Sequence, residues 1–592
     1  MRRVLGIDSE TVTEPDGAAR LVLVACSDGS TLEPTTHDYI RSGQALEYIV
    51  SRPGELWSFF GDYDCNFWLR DLPFSALNRL RETNHTFWHR WRIKHTPRRC
   101  FEVWDRDTSR YACVFDAWPF VQSSFVAWLE KWNLTDAATL DRIRRMKEQR
   151  AEFANLSRAE IKRYALDEVR LIAKGVTELK ARVLSTGFRP SRWLGPGAVA
   201  ARAMQANKVK QSMPDVSQPR WQRMANKIEA AYFGGRVETA IVGIRGATVA
   251  SYDIASAYPA ATVGLPCLRH GHWKQGVHSP YALAHVRWAF PAKSPWGPFP
   301  LRTPASLHYP VEGAGFYWYP EVEPWEHAPG LQIVRAWTWV PDCDCSPFGW
   351  VADLYEERAR RKAAGDVSEY ALKLVLNSIY GKTAQRVGAR PYFCPMWAGL
   401  ITATTRGRIS RLLRLYGRRV LAVATDGVLA AGPLPIETDD NETPALGSWT
   451  LAGTYRGADF WQPGFYVLEG GATKTRGFRA AEVDTRAMRR AWRDGYLLGQ
   501  VEIPRRKLVG YRLATHQNRM TDFCRWCDAP ALVDFRPWPR RRPTKQHTQE
   551  GRSDYIQTLA PDALTPETRI VDVEGRIIAE YLRDGTPGGF EK

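Results

Sequence analysis

Carboxylates recur in this chain where apolar, strand-like runs end. VLGID at 4–8 opens GIDSET at 6–11, ATVAS at 247–251 leads into YDIASAYPA at 252–260, and VLAVA at 420–424 leads into Thr425-Asp426-Gly427. In the first string Asp8 and Glu10 stand two apart, so on a strand both side chains point to one face. Paired carboxylates there can hold a divalent metal for phosphoryl chemistry. GDYDCNF at 61–67 adds Asp64 among aromatics, where a carboxylate is costly unless it is bound to something. Taken singly, each string has a plainer explanation. Acidic alternation on an exposed strand, an ordinary Asp turn and an Asp-Gly β-turn account for them one by one.

Helical phasing adds two more pieces. The box Ser157-x-x-Glu160 marks a helix start. Ile161, Ala165, Val169, Ile172, Val176, Leu179 and Val183 then form an apolar stripe at steps of three and four. At 100° per residue Glu168 falls about 60° from the stripe's centre near Ala165, and Asp167 about 160° away. Glu168, one turn after Tyr164, therefore sits at the edge of the buried face, within reach of the strand carboxylates, and Asp167 reads as a solvated charge. Further on, two helices flank Gly365-Asp366. The second, capped by Asp366-x-x-Glu369 and ending at Gly381, carries Tyr370, Lys373, Asn377 and Tyr380 within one arc. The first carries Arg358 and Lys362 at i,i+4. In an antiparallel helix hairpin Arg358 and Lys373 stand level, clustering cations as a triphosphate requires. Solvated charge on two surface helices is the plainer alternative.

Charge and composition narrow the partners. With 82 Lys and Arg against 64 Asp and Glu, the chain carries a net +18, which suggests a polyanion. The 24 Trp, 23 Tyr and 23 Phe offer stacking surface as well as core. Its 592 residues correspond to about four domains. No apolar run approaches the roughly 18 residues of a membrane span, and the apolar segment after Arg2 and Arg3 stops at Asp8, short of a secretory signal. The ten cysteines read as scattered and without a framework, as in a reduced cytoplasmic protein. The one CxxC, Cys524–Cys527, lacks a second, and with His516 upstream it reads as structural.

In order, these strings resemble the family B DNA polymerases. GIDSET looks like the first exonuclease motif (D-x-E), Asp64 like the carboxylate of the second, and Tyr164-x-x-x-Glu168 like the third, with Glu where Asp is usual. AYFGGRVE at 231–238 resembles the Y-x-G-G motif between exonuclease and polymerase, through Tyr232, Gly234 and Gly235. YDIASAYP resembles motif A with Ala257 for Leu, KLVLNSIYG motif B, and ATDG motif C with Ala424 in place of the first Asp. KTRGF at 474–478, with Lys474 and Arg476, is a weaker echo of a DNA-binding string. Motif B is the most specific string of the set, and the match runs from residue 8 to about 430.

The resemblance implies an α/β and α+β multidomain fold: an RNase H-like 3′→5′ exonuclease domain followed by a right-hand polymerase of palm, fingers and thumb. The expected parts are an exonuclease at 1–183, a linker at 184–230 with a short helix, and palm at 231–350 with an insertion in the Trp/Pro-rich irregular stretch 290–345. Fingers follow at 351–385, palm again at 386–470, and thumb with a basic C-terminal region at 471–592. It implies a nucleotidyltransferase in which Asp253 and Asp426 hold two Mg2+ ions, with Mn2+ as an acceptable substitute. Arg358, Lys362 and Lys373 would clamp the triphosphate. Tyr258 would stack under the sugar, and Asn377 and Tyr380 would line the nascent base pair. Asp8, Glu10, Asp64 and Glu168 would ligate metal for proofreading, with Tyr164 orienting water. DNA primer-template, deoxynucleoside triphosphates and a terminal protein are the implied partners, with no membrane, in the host cytoplasm of a virus or plasmid. Two other readings compete: a degenerate DNA-binding protein, motivated by Ala424 and Glu168, and a nuclease whose C-terminal part only grips DNA.

Overall fold

The computed structural model describes residues 3–35, 38–304, 306–494, 500–534 and 541–562, with short strands at 569–571, 577–581 and 587–588. The chain forms two compact units. One comprises residues 1–202, 367–375 and 504–531; the other comprises 203–366, 376–503 and 532–592.

The first unit is built on an eight-stranded sheet in the order Thr31–Leu32, Ala19–Cys26, Val4–Thr13, Glu55–Ser58, Tyr111–Asp116, Cys100–Asp105, Trp91–Thr96, His85–Trp88. Strand Val4–Thr13 runs antiparallel to Ala19–Cys26 and parallel to Glu55–Ser58, with Leu5 opposite Leu56. Against it packs the long helix Arg158–Leu184, whose start carries the expected reciprocal Ser157–Glu160 capping box. The whole predicted apolar stripe is buried, from Ile161 to Val183. The contact is close enough that a Cβ at Gly6 would lie 2.0 Å from the Val169 carbonyl oxygen. Residues 504–531, assigned from sequence to the C-terminal region, add Val509, Tyr511, Ala514 and Phe523 to this unit's core. The Tyr511 amide donates to Asn66 Oδ1 at 2.9 Å.

The second unit centres on an antiparallel sheet ordered Trp449–Tyr455, Val249–Ile254, Gly427–Ala431, Val420–Thr425, Arg236–Thr239. Helix Pro395–Tyr416 packs on strand Val420–Thr425 and on helix Ala257–Val263, which also meets helix Trp350–Ala363. A separate four-stranded sheet orders Gly271–Gln275, Leu331–Pro341, Ala282–Ala289 and Glu312–Trp318. The stretch 290–345, read as irregular, thus supplies two strands of this sheet, besides the short pair Leu301–Arg302 and Leu307–His308. Trp296, Trp318, Trp325 and Trp339 are buried in the core, and Trp337 is half-buried. Likewise 184–230 is not one short helix in a linker. It holds helices Pro196–Ala206, Pro219–Gln222 and Ala225–Ala230, with Trp193 buried in the first unit and Met204 and Trp221 buried in the second. Beyond 470, where the sequence is weakly patterned, strand Ser553–Leu559 pairs with Ile241–Arg245, and buried Arg541 donates to Glu238 at 2.8 Å.

Two element ends differ from expectation. The helix Glu369–Thr383 runs past Gly381, and Thr383 closes it by donating its hydroxyl to the Tyr380 carbonyl. The motif C hairpin turns on Thr425-Asp426, not Asp426-Gly427, because Ala424 already pairs with Gly427. Its Thr425 sits at φ 64°, a left-handed conformation that costs a β-branched residue energy and recurs at functional sites.

Candidate active sites

In the first unit, strand Val4–Thr13 buries Asp8 and Glu10 on one face, and the long helix brings Glu168 to them. Ligand oxygens of Asp8, Glu10 and Glu168 all lie within 4.8 Å of one another. Asp64, 2% exposed, comes from helix Asp62–Trp68. That helix is fixed to the strand by Trp68 Nε1 donating to Ser9 Oγ at 2.9 Å and by a Tyr63–Thr11 hydroxyl pair at 2.7 Å. All four carboxylates line one cavity of about 660 Å³.

The electrostatics of this cluster are uneven. Burial, then the Glu168 charge, pushes Asp8 up to about 7. Burial also raises Glu10 and Asp64 well above the ordinary carboxylate range. Burial would raise Glu168 too, but Lys147 and Arg150 outweigh it and hold it low. Lys147 Nζ donates to Glu168 at 2.7 Å, and Arg150 donates to the Tyr164 hydroxyl at 3.1 Å. Asp8 Oδ2 and Glu10 Oε1 are buried with no hydrogen-bond partner among the described residues. Orphaned, mutually repelling carboxylate oxygens are the donor set a hard divalent cation takes. Asp167 points elsewhere, as phased, but it is not a solvated charge. It accepts from Arg142 at 2.7 Å, because the neighbouring helix Ala137–Glu148 covers that side.

Lys147 and Arg150 are site residues that sequence reasoning missed. They lie in RIRRMKEQR, a run that reads as a solvated basic face. Tyr370, grouped from sequence with Lys373, belongs instead to packing. Its hydroxyl donates to the Phe120 carbonyl at 2.7 Å, and its ring meets Trp132 edge-on.

In the second unit, Asp253 lies next to the end of strand Val249–Ile254, opposite Gly427, one residue after Asp426. The Ile254 amide donates to the Asp426 carbonyl at 3.2 Å, tying the two carboxylate positions together. Burial, then the Asp253 charge, pushes Asp426 up to about 6. Burial raises Asp253 as well, against the pull of Lys474. Lys474 reaches this neighbourhood because strand Thr473–Lys474 pairs with Phe465–Leu468. Arg476 packs its side chain at Gly464.

Three tyrosines from three sequence strings meet beside these carboxylates. The Tyr258 and Tyr380 rings lie 4.7 Å apart, and the Tyr232 and Tyr380 hydroxyls 2.9 Å apart. A Cβ at Gly235 would come 2.7 Å from Thr425 Cγ2 and 3.1 Å from the Tyr258 hydroxyl, so this glycine admits the hairpin and the tyrosine together. Buried Arg406, a second residue missed from sequence, donates to the Phe233 and Gly234 carbonyls at 2.7 Å and pairs with Glu321. Arg358 and Lys362 ride helix Trp350–Ala363, where Lys362 donates to the Glu442 carbonyl at 2.9 Å. Lys373 and Asn377 are exposed on helix Glu369–Thr383, with Lys373 counted in the first unit and Asn377 in the second.

This two-unit α/β and α+β fold is shared with a solved DNA polymerase. Among solved structures, phi29 DNA polymerase matches over 90% of this chain and 100% of that one, with a TM-score of 0.64 at 13% identity. The same polymerase with primer-template DNA and incoming nucleotide gives a TM-score of 0.61 over the same shares. The primer-independent DNA polymerase PolB of Escherichia coli is 26% identical across 34% of this chain, which spans 28% of that relative's length. No family model matches the chain. Among the described residues, no helix is long and apolar enough to cross a membrane.

Proposed function

We propose that the chain is a DNA-templated DNA polymerase of family B type with a 3′→5′ proofreading exonuclease, replicating a viral or plasmid genome in a bacterial cytoplasm. The observation that carries the reading is the meeting of Asp253, Asp426 and the tyrosines of three separate strings around one hairpin. Asp253 and Asp426 would hold divalent ions in the polymerase, and Asp8, Glu10, Asp64 and Glu168 in the exonuclease. When bound, such ions supply positive charge that acidifies the attacking hydroxyl and offsets charge on the leaving oxygen.

The chain's own residues do the rest. Arg358, Lys362 and Lys373 bind the triphosphate by charge-assisted contacts. Tyr258 lies under the sugar and excludes a 2′-hydroxyl, with its ring held against Tyr380. Asn377 and Tyr380 line the nascent base pair, and the Tyr232 hydroxyl fixes Tyr380 in place. Gly234 and Gly235, steadied by Arg406, and the cations Lys474 and Arg476 follow the DNA backbone. In the exonuclease Tyr164 orients the attacking water, and Lys147 places positive charge beside Glu168, where a scissile phosphate would bind.

Ala424 removes a carboxylate from motif C but leaves Asp426, so the reading keeps an active polymerase over a degenerate binding protein. Magnesium-dependent extension of a primed template tests it, and failure to extend overturns it. The same assay without primer, and with a candidate terminal protein, separates three ways of starting: from a nucleic-acid primer, from a protein, or unaided, as the PolB relative's name describes.

A further inference from the structure

Two short residue pairs that the sequence leaves far apart converge at one end of the four-stranded sheet. Strands Gly271–Gln275 and Leu331–Pro341 run antiparallel with Gly271 opposite Pro341. The chain just before the first strand therefore lies beside the chain just after the second. Cys267-x-x-His270 occupies one of these segments and Cys343-x-Cys345 the other. One ligand atom from each of the four lies within 4.8 Å of all the others.

The backbone holds these residues ready. The Trp339 indole donates to the Cys267 carbonyl at 2.8 Å, and the Trp397 indole to the Pro266 carbonyl at 2.9 Å. The Asp342 amide donates to the His270 carbonyl at 3.2 Å, linking the two segments directly. Cys267 is buried, His270 and Cys345 are exposed, and Cys343 lies between, so an ion has both a fixed base and a way in. None of the four sulfur and nitrogen donors is tied up in a disulfide.

We infer that Cys267, His270, Cys343 and Cys345 form a structural zinc site. Three thiolates and one imidazole are a closed tetrahedral donor set characteristic of zinc, and Zn–S near 2.3 Å with Zn–N near 2.0 Å implies ligand-to-ligand edges of about 3.5–3.8 Å. The Cys267 Sγ to His270 Nδ1 separation is already 3.7 Å. The position suggests what the ion does. Cys267 follows helix Ala257–Val263, which carries Tyr258, and Cys345 precedes helix Trp350–Ala363, which carries Arg358 and Lys362. Zinc there staples the exit of one helix to the entry of the other, across 72 intervening residues counted from His270 to Cys343 (343 − 270 − 1). The inference stands on this donor set and does not depend on polymerase activity.

The test is the metal content of the full-length protein, purified and dialysed into metal-free buffer. About one zinc ion per chain is expected, as a closed structural site retains its ion. The double variant C343S/C345S should lose that zinc, and C527S should keep it. Exchange for Co2+ in the intact wild-type chain should give intense thiolate-to-cobalt charge-transfer absorption with tetrahedral ligand-field bands. This second readout does not depend on how the variants fold. Wild-type protein that carries no zinc and gives no such cobalt spectrum overturns the site. So does a Cys343–Cys345 disulfide in freshly reduced preparations, or full zinc retention by C343S/C345S.

Discussion

Asp167 and Glu168 are neighbours in sequence with opposite environments. Glu168 is 3% exposed and shares the carboxylate cluster, whereas Asp167 is paired with Arg142 on the far side of the helix. Glu168→Ala should cut degradation of single-stranded DNA by more than about 100-fold, beyond the loss of an outer-shell partner. Asp167→Ala should cost about 0–1 kcal/mol of stability and leave degradation unchanged, as for a surface ion pair. A gel assay on both variants checks this, and a dead Asp167→Ala enzyme would contradict the phasing. Asp8 carries a second expectation. Its carboxyl ionises at about 7 in the fold against an ordinary 3.8. The stability it contributes is therefore present below about pH 4 and lost as pH rises toward 7. In magnesium-free buffer Asp8→Asn should melt higher than wild type at pH 8, by on the order of 1–3 kcal/mol, with the gap closing toward pH 5. A variant that melts lower at pH 8 refutes the repulsion. Glu168 was legible because helical phase is a local property. Lys147 and Arg150 were not, because no periodicity marks which charge of a basic run will fold back onto a carboxylate.

At the scale of elements, the strands and helices that carry the carboxylates follow from local pattern. The alternation of GIDSET, the stripe from Ile161 to Val183 and the apolar runs around Asp426 all became the elements they suggested. What failed was punctuation. Gly381 did not end its helix, and the Asp-Gly pair did not form the turn, since the strand pairing of Ala424 with Gly427 set the hairpin register instead. The grouping of Cys267, His270, Cys343 and Cys345 was likewise hidden, because only the pairing of two strands separated by a long insertion brings them together. Gly235 tests how tightly the hairpin is seated. Adding a Cβ 2.7 Å from Thr425 Cγ2 forces a shift in a packed region, which costs about 1–3 kcal/mol. Gly235→Ala should therefore depress primer extension at least tenfold while exonuclease activity on single-stranded DNA stays intact. Equal loss of both activities would mean that the substitution unfolds the chain instead.

Over the whole molecule, the order of the strings was legible and the return of the chain was not. Residues 504–531 join the core of the first unit through Tyr511, whose hydroxyl pairs with His95 at 2.9 Å, yet nothing in that basic segment announces a partner more than 400 residues earlier. Long-range pairing of this kind leaves no periodic trace. The two carboxylate sites, by contrast, lie in separate compact units and should fail independently. The most direct measurement follows a 5′-labelled primer on a longer template in Mg2+, with and without nucleotides, for the wild type, Asp426→Ala and Glu168→Ala. The wild type should lengthen the primer with nucleotides and shorten it without them; Asp426→Ala should only shorten it, and Glu168→Ala should only lengthen it. Continued extension by Asp426→Ala would contradict the assignment of the polymerase site.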